Sequence, residues 1–353
     1  MTTSKQIKFK IDHIDPMGQG VCKQDGQIYF IPKTLPDEVG TATVTKSSKG
    51  VNFANLNTLI NESTNRVKPF CKHYEQCQGC HFQHCSYEVE LEFKKNALAK
   101  HLQNLDFPEI QIIKCSDRKN YRNRIQLHYN KKQNKLGFIN ARTKQIVPIE
   151  TCPISNKDIN EKLSQLVINW KSLAPKGQGH VEISNQISWD QRYASDGFSQ
   201  VNEEINNQLK QILNAKVLSL SPSSTLDLFS GKGNLSESIT NKVLIDYSPY
   251  QIENYYQLDL FDPKSLNEFK EKNSKTFDLI ILDPPRKGFP LLNDWLNAYS
   301  ANNIIYVSCN PATLSRDLST LKEYKITQLF LMDMFPSTYH FETMVFLEKD
   351  FSN

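Results

Sequence analysis

The stretch TLDLFSGKGNLSESI, residues 225–239, decides the fold of the second half of the chain. Its pattern predicts a buried strand, a tight turn with two glycines and the start of a helix. Glycines allow such a turn to approach a ligand closely, and a helix N-terminus offers free N–H groups. The turn lacks the third glycine of a dinucleotide fingerprint and the Lys-Ser/Thr pair of a P-loop. Taken alone it is a weak sign of a cofactor site, because many strand–helix turns contain two glycines.

The segments around this turn predict an open, largely parallel α/β sheet from about residue 190 onward. Short apolar runs, each followed by a helix-like segment or a loop, continue the pattern as KVLID, FDLIILD and NIIYVS. Asp246, Asp259 and Asp283 lie at the ends of successive strands, where ligands of such sheets bind. Three acidic residues there fit an adenosine-bearing cofactor without a long polyphosphate, and S-adenosylmethionine matches that description. The simpler interpretation is that they are helix caps and turn formers.

Two further regions precede this sheet. Residues 1–62 contain several short runs of alternating or β-branched residues, separated by turn formers, which predict a small β-barrel. Residues 63–185 form a basic, cysteine-bearing region that contains a helical pattern at 86–104 and a hairpin pattern. We therefore expect three domains, with the α/β domain occupying residues 186–353.

The charge of the chain is unevenly distributed. Its 42 Lys+Arg and 38 Asp+Glu residues give a net charge of +4, yet residues 66–150 contain 16 basic and 8 acidic residues. This block favours an anionic partner such as nucleic acid, although a solvated lysine-rich face would give the same pattern. No apolar run approaches the roughly 20 residues that a membrane helix needs. Since the N-terminus also lacks the apolar core of a signal peptide, we expect a cytoplasmic protein without a membrane segment.

Eight cysteines occur in the chain, and in the cytoplasm we expect them to be ligands, nucleophiles or packing residues rather than disulfides. Three of them have the spacing C-x5-C-x2-C, and a fourth follows much later, before a proline. Four thiolates suit zinc or an iron–sulfur cluster, and the single C-x2-C pair favours a [4Fe–4S] cluster. The four candidate ligands are Cys71, Cys77, Cys80 and Cys152. The competing candidates are Cys85 and, for zinc, His73, His81 and His84.

Cys309 and Glu342 are the candidate chemical groups of the α/β region. Cys309 follows the strand NIIYVS and precedes a proline turn, so its thiol is expected at the cofactor rim. The helix after it is expected to lower the pKa of the thiol. Glu342 interrupts an apolar and aromatic stretch, so we expect a raised pKa and a role in proton transfer. The same pattern would also suit a buried packing cysteine and a water-exposed glutamate at a strand edge.

These groups together fit one chemistry. The C5 carbon of uracil is too poor a nucleophile to attack a methyl sulfonium directly, but a thiolate that adds to C6 turns the ring into an enolate. C5 then accepts the methyl group, and a base removes the C5 proton so that the thiol can leave. The reaction needs a cysteine, a sulfonium cofactor and a proton acceptor in one pocket, and the sequence offers a candidate for each.

Longer motifs give the chain a resemblance to the bacterial RNA (uracil-5-)-methyltransferases that modify 23S ribosomal RNA. The stretches SCNPATLSRDL (308–318) and DMFPSTYHFE (333–342) are highly specific to that family. The stretches DPPRKG (283–288) and FSQVN (198–202) are fairly specific, and DLFSGKGNLS is less so. The resemblance spans nearly the whole chain.

The resemblance implies a Rossmann-like S-adenosylmethionine-dependent methyltransferase domain, an N-terminal OB-like TRAM β-barrel and a central α+β domain with a [4Fe–4S] cluster. It implies that Cys309 is the nucleophile and Glu342 the proton acceptor. It also implies that Cys152, rather than Cys85, is the fourth cluster ligand, and that the helix at 86–104 packs on the catalytic domain. The residues implied to contact S-adenosylmethionine are Gln200, Phe229, Asn234, Asp246, Asp259 and Asp283.

The implied function is methylation of C5 of a uridine in 23S rRNA, forming 5-methyluridine, with no obligate protein partner. Arg118, Arg122 and Arg124 are expected to meet RNA phosphates, and the target base would leave its stack to enter the pocket. A transfer RNA substrate is a competing interpretation, against which the TRAM domain and the cluster weigh. The chain could also be a metal-containing RNA-binding protein with an inactive methyltransferase fold, or an amino-group methyltransferase. An amino-group methyltransferase does not need a nucleophilic cysteine.

Overall fold

A computed structural model of the chain describes residues 5–140, 142–192 and 200–351. The structure divides into two compact units, each built from three segments of the chain. The first unit comprises Met1–Ala97, Cys115–Glu203 and Phe335–His340. The second unit comprises Leu98–Lys114, Glu204–Met334 and Phe341–Asn353. The three-domain division drawn from the sequence stays a prediction.

Six strands form a curled sheet at the start of the first unit. They are β1 Gln6–Lys10, β2 His13–Ile14, β3 Gln19–Gln24, β4 Gln27–Pro32, β5 Val39–Ser48 and β6 Val51–Asn61. Their order across the sheet is β1-β5-β6-β4-β3-β2. Alternating residues of β1 are buried, which places Ile7 and Phe9 in the core. Register shifts between β5 and β6 bend the pair, so the strands predicted in this region are confirmed and their sheet curls.

Helix α1, Tyr87–Leu102, confirms the helix predicted at 86–104, and strand β7, Ile110–Ile113, follows it. Acidic residues in the first turn of α1 and basic residues in the last turn complement its dipole. Residues up to Ala97 belong to the first unit, and the remainder of α1 and all of β7 belong to the second. In the part of the chain that the structure describes, no helix is long and apolar enough to cross a membrane.

A second sheet completes the first unit. Its strands are β8 Ile125–Asn130, β9 Lys135–Ile139, β10 Ile146–Pro148, β11 Gln178–Ile183 and β12 Ile187–Trp189, in the order β10-β9-β8-β11-β12. The antiparallel pairing of β8 with β9 confirms the predicted hairpin. Helix α2, Lys157–Leu173, lies on this sheet and buries one face against it. The apolar face of α2 therefore supplies the core that one sheet alone lacks.

A buried ion pair fastens the segment Phe335–His340 within the first unit. Lys94 Nζ lies 2.7 Å from Glu90 Oε1, and both side chains are fully buried. The N–H of Ser337 donates to the same Glu90 oxygen over 2.6 Å, and Lys94 also donates to the carbonyl of Phe335 over 3.2 Å. Because breaking such a pair would leave an unpaired charge buried away from water, these bonds hold the segment in one position.

Two of the three arginines expected to meet phosphates, Arg124 and Arg118, make ion pairs or hydrogen bonds within the protein. Arg124 Nη1 lies 2.7 Å from Glu182 Oε1, and both side chains are about 5% exposed. Arg118 donates to two backbone carbonyl groups and pairs with Glu90. The expectation of a phosphate contact is therefore wrong for Arg124, because its charge is neutralised within the core of the unit.

The second unit contains one mixed sheet with helices between its strands. Its elements are α3 Glu203–Leu220, β13 Thr225–Leu228, β14 Lys242–Asp246, β15 Tyr255–Gln257, α4 Lys264–Lys272, β16 Leu279–Leu282, α5 Leu292–Tyr299, β17 Asn303–Ser308, α6 Pro311–Ser319, β18 Tyr324–Met332 and β19 Glu342–Lys349. The order is β15-β14-β13-β16-β17-β19-β18-β7. Strands β13 to β17 run parallel, whereas β19 runs antiparallel to both of its neighbours. The predicted open α/β sheet is confirmed.

The helix predicted directly after β13 is wrong. Residues 231–238 form consecutive turns in the structure. Gly231 and Gly233 adopt left-handed backbone angles, with φ of 54° and 81°, which a right-handed helix does not accommodate. Ser236 donates its hydroxyl to Asp227 over 2.5 Å, so a side chain that would sit on a helix is fixed to β13 instead.

Candidate active site

The topology brings Cys309 and Glu342 to the same edge of the second unit's sheet. The strand order reverses between β13 and β16, and such a reversal opens a crevice at the carboxyl ends of the strands. Cys309 follows β17 at this edge. Strand β19 runs antiparallel beside β17 with Thr343 opposite Ser308. Continuing this register by one residue places Cys309 opposite Glu342, the first residue of β19.

The thiol of Cys309 is half-buried and lies in a mainly negative environment. Burial raises its pKa to about 12, and the carboxylates of Glu342 and Asp283 add to the increase. The positive charge of Arg286 acts in the opposite direction. The expectation of a lowered pKa is therefore wrong, because burial and two carboxylates outweigh the N-terminus of α6.

Glu342 is a buried carboxyl group with one unpaired oxygen. The residue is 5% exposed, and burial and the nearby charge of Asp283 raise its pKa well above the usual range, which confirms the predicted direction. Among the described residues, Glu342 Oε2 has no hydrogen-bond partner. An unsatisfied buried oxygen at a cofactor edge is free to accept a proton from a bound molecule.

Asp283 lies beside this pair, directly after β16. Burial raises its pKa to about 7. Two neighbouring carboxyl groups resist being ionised together, which is one reason why the pKa of Glu342 lies well above its usual range.

Phe229 marks the end of β13 with a strained backbone. Its φ of 58° lies in the left-handed region, which is rare for a bulky residue. Its ring packs edge-on against Phe289, with centroids 4.9 Å apart, and is tilted against Phe261 at 5.4 Å. Strain of this kind persists where the surroundings hold it in place, and it concentrates at functional sites.

Asp246 braces the Gly-rich turn. One of its carboxylate oxygens accepts the N–H of Gly231 and the other accepts the N–H of Ser248, both over 2.9 Å. The residue therefore ties the end of β14 to the turn that follows β13, which agrees with the simpler interpretation of Asp246 as a turn former.

The remaining two predicted cofactor contacts in this unit are exposed. Asn234, within the turns after β13, exchanges side-chain hydrogen bonds with Asn206. Asp259 accepts the N–H of Phe261 over 2.9 Å, which caps the turn after β15. Both residues are open to solvent, so neither side chain is enclosed by the protein.

Gln200 lies in the first unit, unlike the five residues above that are predicted to contact the cofactor. It is half-buried, and its carbonyl accepts a hydrogen bond from Asn123 over 3.1 Å. Phe198 and Ser199 of the same predicted motif lie outside the described residues. The cofactor role of Gln200 stays a prediction.

Sequence reasoning missed two charged groups of this site. Asp227 is buried in the middle of β13, burial raises its pKa to about 7, and among the described residues its Oδ1 has no partner. An acidic residue inside an apolar strand was the signal for it. Arg286 lowers the pKa of Cys309, and its sign in the sequence was a cation directly after Asp-Pro-Pro.

The four cysteines predicted as metal ligands lie near one another in the first unit. All are free and half-buried. Burial raises the pKa of three of them, and a negative charge on Cys152 adds to the increase for each. The three are Cys71, Cys77 and Cys80. The competing candidate, Cys85, is fully buried and donates its thiol proton to the carbonyl of Phe82.

The donor chemistry of this group fits a four-thiolate ligand set, whereas its geometry is not that of a metal site. Within residues 5–140, 142–192 and 200–351, no group of three or more His, Cys, Asp or Glu side chains could hold a metal ion. His84, one of the competing zinc ligands, is hydrogen-bonded to the hydroxyl of Tyr74 over 2.7 Å. The backbone around His81, another competing zinc ligand, is also fixed, because the N–H groups of His81 and Phe82 both donate to the carbonyl of Ser337.

Comparisons with known proteins agree on one kind of enzyme. Residues 264–350 match the family described as tRNA (Uracil-5-)-methyltransferase. The chain is 28% identical to the 23S rRNA (uracil(1939)-C(5))-methyltransferase RlmD of Haemophilus parainfluenzae. It is 29% identical to the RlmD of Shewanella sediminis, and each alignment covers 98% of this chain and 97% of the relative.

Among solved structures, the Pyrococcus abyssi tRNA (uracil-54, C5)-methyltransferase in complex with S-adenosyl-L-homocysteine matches with a TM-score of 0.68. The sequence identity is 21%, and the match covers 97% of this chain and 100% of the matched chain. At that identity the likeness shows the fold alone, which is a methyltransferase fold with a curled N-terminal sheet.

Proposed function

We propose that this chain is a member of the RNA (uracil-5-)-methyltransferase family, which it resembles along nearly its whole length, and that it transfers a methyl group from S-adenosylmethionine to C5 of a uridine in 23S ribosomal RNA. The observation that carries the proposal is the pairing of β17 with β19, which ends at Ser308 and Thr343 and leaves Cys309 and Glu342 as the next residues of the two chain segments. Glu342 is buried, and its Oε2 has no hydrogen-bond partner among the described residues. The relatives that match along nearly their whole length are named for uracil 1939, and we propose the corresponding uridine as the target.

The cofactor is proposed to lie in the crevice where the strand order reverses. When bound, S-adenosylmethionine supplies an electrophilic methyl group. Burial raises the pKa of the carboxyl groups of Asp227, Asp283 and Glu342, and a sulfonium cation bound beside them would favour their ionised forms. The residues proposed to surround the cofactor are Phe229, Asn234, Asp246, Asp259 and Asp283.

The proposed reaction is covalent. The thiolate of Cys309 forms a bond to C6 of the uracil, and the C5–C6 double-bond electrons move toward O4 as an enolate. The electron pair returns to form the bond between C5 and the methyl group, while the bond from that group to the sulfonium sulfur breaks and leaves its electron pair on sulfur. Glu342 then takes the C5 proton, the C5–C6 double bond forms again and the sulfur of Cys309 leaves as a thiolate.

For the RNA partner, we propose a contact surface in the first unit. A cavity of about 460 Å³ there is lined by two cationic side chains, Lys33 and Arg142, by the carboxylate of Glu75 and by polar and aromatic residues. Lys33 already pairs with Glu75 over 3.4 Å, so the guanidinium of Arg142, whose pKa is lowered by burial, is the cation proposed to meet a phosphate. This surface takes the place of the contacts expected from Arg124.

The test of the proposed function is a map of 5-methyluridine in ribosomal and transfer RNA from cells with and without this protein. We expect the modification to disappear at the position corresponding to uracil 1939 of 23S rRNA, while transfer RNA is unchanged. Loss in transfer RNA alone would support the tRNA substrate, and no loss in either RNA would support an inactive methyltransferase fold. A Cys309→Ala copy should not restore the modification.

We also propose that Cys71, Cys77, Cys80 and Cys152 bind a [4Fe–4S] cluster. The support is four free thiols that influence one another electrostatically, three of which come from the C-x5-C-x2-C stretch.

The cluster proposal predicts different outcomes for two cysteine substitutions. Anaerobically purified protein should be brown and contain iron and sulfide. Cys152→Ser should lower the iron content and the broad visible absorbance, because one thiolate is lost, whereas the matched Cys85→Ser should retain both. Zinc without iron in the wild-type protein, or equal losses in the two variants, would contradict the assignment.

A further inference from the structure

We infer that Asn310, the residue after Cys309, is a positioning residue of the reaction, because its side chain ties the turn that carries the thiol to the neighbouring loop of the second unit. The inference rests on the proposed function for the role of Cys309 as the nucleophile. A sulfur that must form a bond to C6 of the uracil needs a fixed position, since a displacement of about 1 Å can lower the rate of such a step by roughly a hundredfold.

The turn that carries the thiol is closed by hydrogen bonds between its two neighbours in the chain. Ser308 donates its hydroxyl to the carbonyl of Asn310 over 3.2 Å, and the N–H of Asn310 donates to the same hydroxyl over 3.2 Å. Ser308 is in turn the last residue of β17, where it pairs with Thr343. The backbone before Cys309 is therefore held by the sheet, and the backbone after it depends on Asn310.

The side chain of Asn310 forms hydrogen bonds in two directions. Its Oδ1 accepts the N–H of Ala312 over 3.1 Å and so caps α6. Its Nδ2 donates to the backbone carbonyl of Arg286 over 2.8 Å. This carbonyl belongs to the loop 284–289, which follows Asp283 at the end of β16, the parallel neighbour of β17. One amide group therefore joins the N-terminus of α6 to the loop from the adjacent strand.

Two further side chains of α6 hold the same loop. Thr313 donates its hydroxyl to the carbonyl of Arg286 over 3.2 Å and to the carbonyl of Asn310 over 3.1 Å. Arg316 donates to the carbonyl of Lys287 over 2.9 Å. These side chains follow one another at intervals of three residues, so they lie along one side of the helix. The loop and the start of α6 are therefore fixed to each other, directly after the turn that carries the thiol.

Asparagine suits this position because its amide group offers both an acceptor and donors. Serine caps a helix about as well as asparagine, but it lacks the amide nitrogen that reaches the loop. Asn310→Ser therefore keeps the cap of α6 and removes the bond to the carbonyl of Arg286, without adding a charge beside the thiol. In this way the loss of the bond is separated from the loss of the helix.

The first part of the test is made on the whole chain without RNA. It measures the rate at which iodoacetamide alkylates Cys309 and the rate at which trypsin cleaves after Arg286 and Lys287, with both products quantified by mass spectrometry. Asn310→Ser should raise each rate by about fivefold, because the loss of one hydrogen bond makes local opening of the loop and the turn more frequent.

The second part of the test measures methyl transfer to RNA. For Asn310→Ser, kcat should fall by about tenfold, because the sulfur is displaced from its reactive position. KM for S-adenosylmethionine should stay the same, since the substitution leaves the strand ends around the cofactor crevice unchanged. A loss of overall stability would instead be seen as a lower thermal unfolding temperature.

The matched control is Asn156→Ser, which makes the same substitution at the N-cap of α2. There the side chain accepts the N–H of Ile159 over 2.9 Å, and we expect both rates and kcat to equal those of the wild type. Thr313→Val should raise the two rates as Asn310→Ser does, whereas Thr313→Ser keeps the hydroxyl and should behave like the wild type. If Asn310→Ser does not fold, the comparison of the two Thr313 variants carries the test.

Three results would overturn the inference: unchanged alkylation and cleavage in Asn310→Ser, an equal increase in Asn156→Ser, or an unchanged kcat despite faster alkylation. A failure of the proposed function gives a different result. If the wild type methylates no RNA while Asn310→Ser is still alkylated and cleaved faster, the proposed function fails and the role of Asn310 in holding the thiol stands.

Discussion

Cys309→Ala is expected to reduce methyl transfer to RNA by roughly 10⁴-fold or more, because a covalent route cannot start without its nucleophile. S-adenosylmethionine binding should change little. The thiol is half-buried at the end of β17, and the residues proposed to surround the cofactor belong to different strand ends, so removing one sulfur leaves that crevice in place. The measurement is transfer of a radiolabelled methyl group to an rRNA fragment, with cofactor affinity determined by calorimetry.

The control for this variant is Cys22→Ala. Cys22 is a buried cysteine of β3 in the curled sheet, so its substitution removes the same atom from the core of the first unit. Turnover should remain close to the wild-type value. If Cys309→Ala turned over as fast as Cys22→Ala, the covalent mechanism would be excluded.

Glu342→Gln is expected to accumulate a protein–RNA adduct that survives denaturation, with turnover lowered by about 10²- to 10⁴-fold. Glutamine keeps the size of the side chain but does not accept the C5 proton, so the final elimination stalls. The substitution also removes one of the charges that raise the pKa of Cys309, so the earlier attack on C6 should not be impaired. The adduct will therefore collect after methyl transfer.

The adduct is measured as a slower band of labelled RNA on a denaturing gel. Its formation should require S-adenosylmethionine for full accumulation, and the double variant Cys309→Ala/Glu342→Gln should form none. Retained turnover without any adduct would remove Glu342 from the role of base and leave Asp283 as the nearest carboxyl group.

The strands of the second unit were predictable, and the proximity of Cys309 to Glu342 was not. Each strand is a short apolar run bounded by turn formers, and the local sequence alone predicts a strand from that pattern. The register that joins the two residues depends on the last strand, β19, inserting antiparallel between β17 and β18. Only the motif resemblance linked the two residues before the fold was known.

The charges that surround each side chain were the feature that the sequence predicted least well. The direction of the Cys309 pKa shift depends on Asp283 and Glu342, which belong to different strands, so the neighbouring helix alone gave the wrong sign. Arg124 looked like a surface cation because Glu182, its partner, is distant in the chain. The helix predicted at 231–238 does not form, because a hydrogen bond from the side chain of Ser236 to that of Asp227 competes with helix formation.

The segmented construction of the two units restricts how this protein was able to evolve. The chain passes from one unit to the other five times, and a stretch as short as Phe335–His340 belongs to the first unit while its neighbours on both sides belong to the second. A single recombination event that moves one contiguous gene fragment therefore transplants neither unit whole. We expect the two units to have been inherited together, and new substrate preferences to have arisen by point substitution rather than by the exchange of modules.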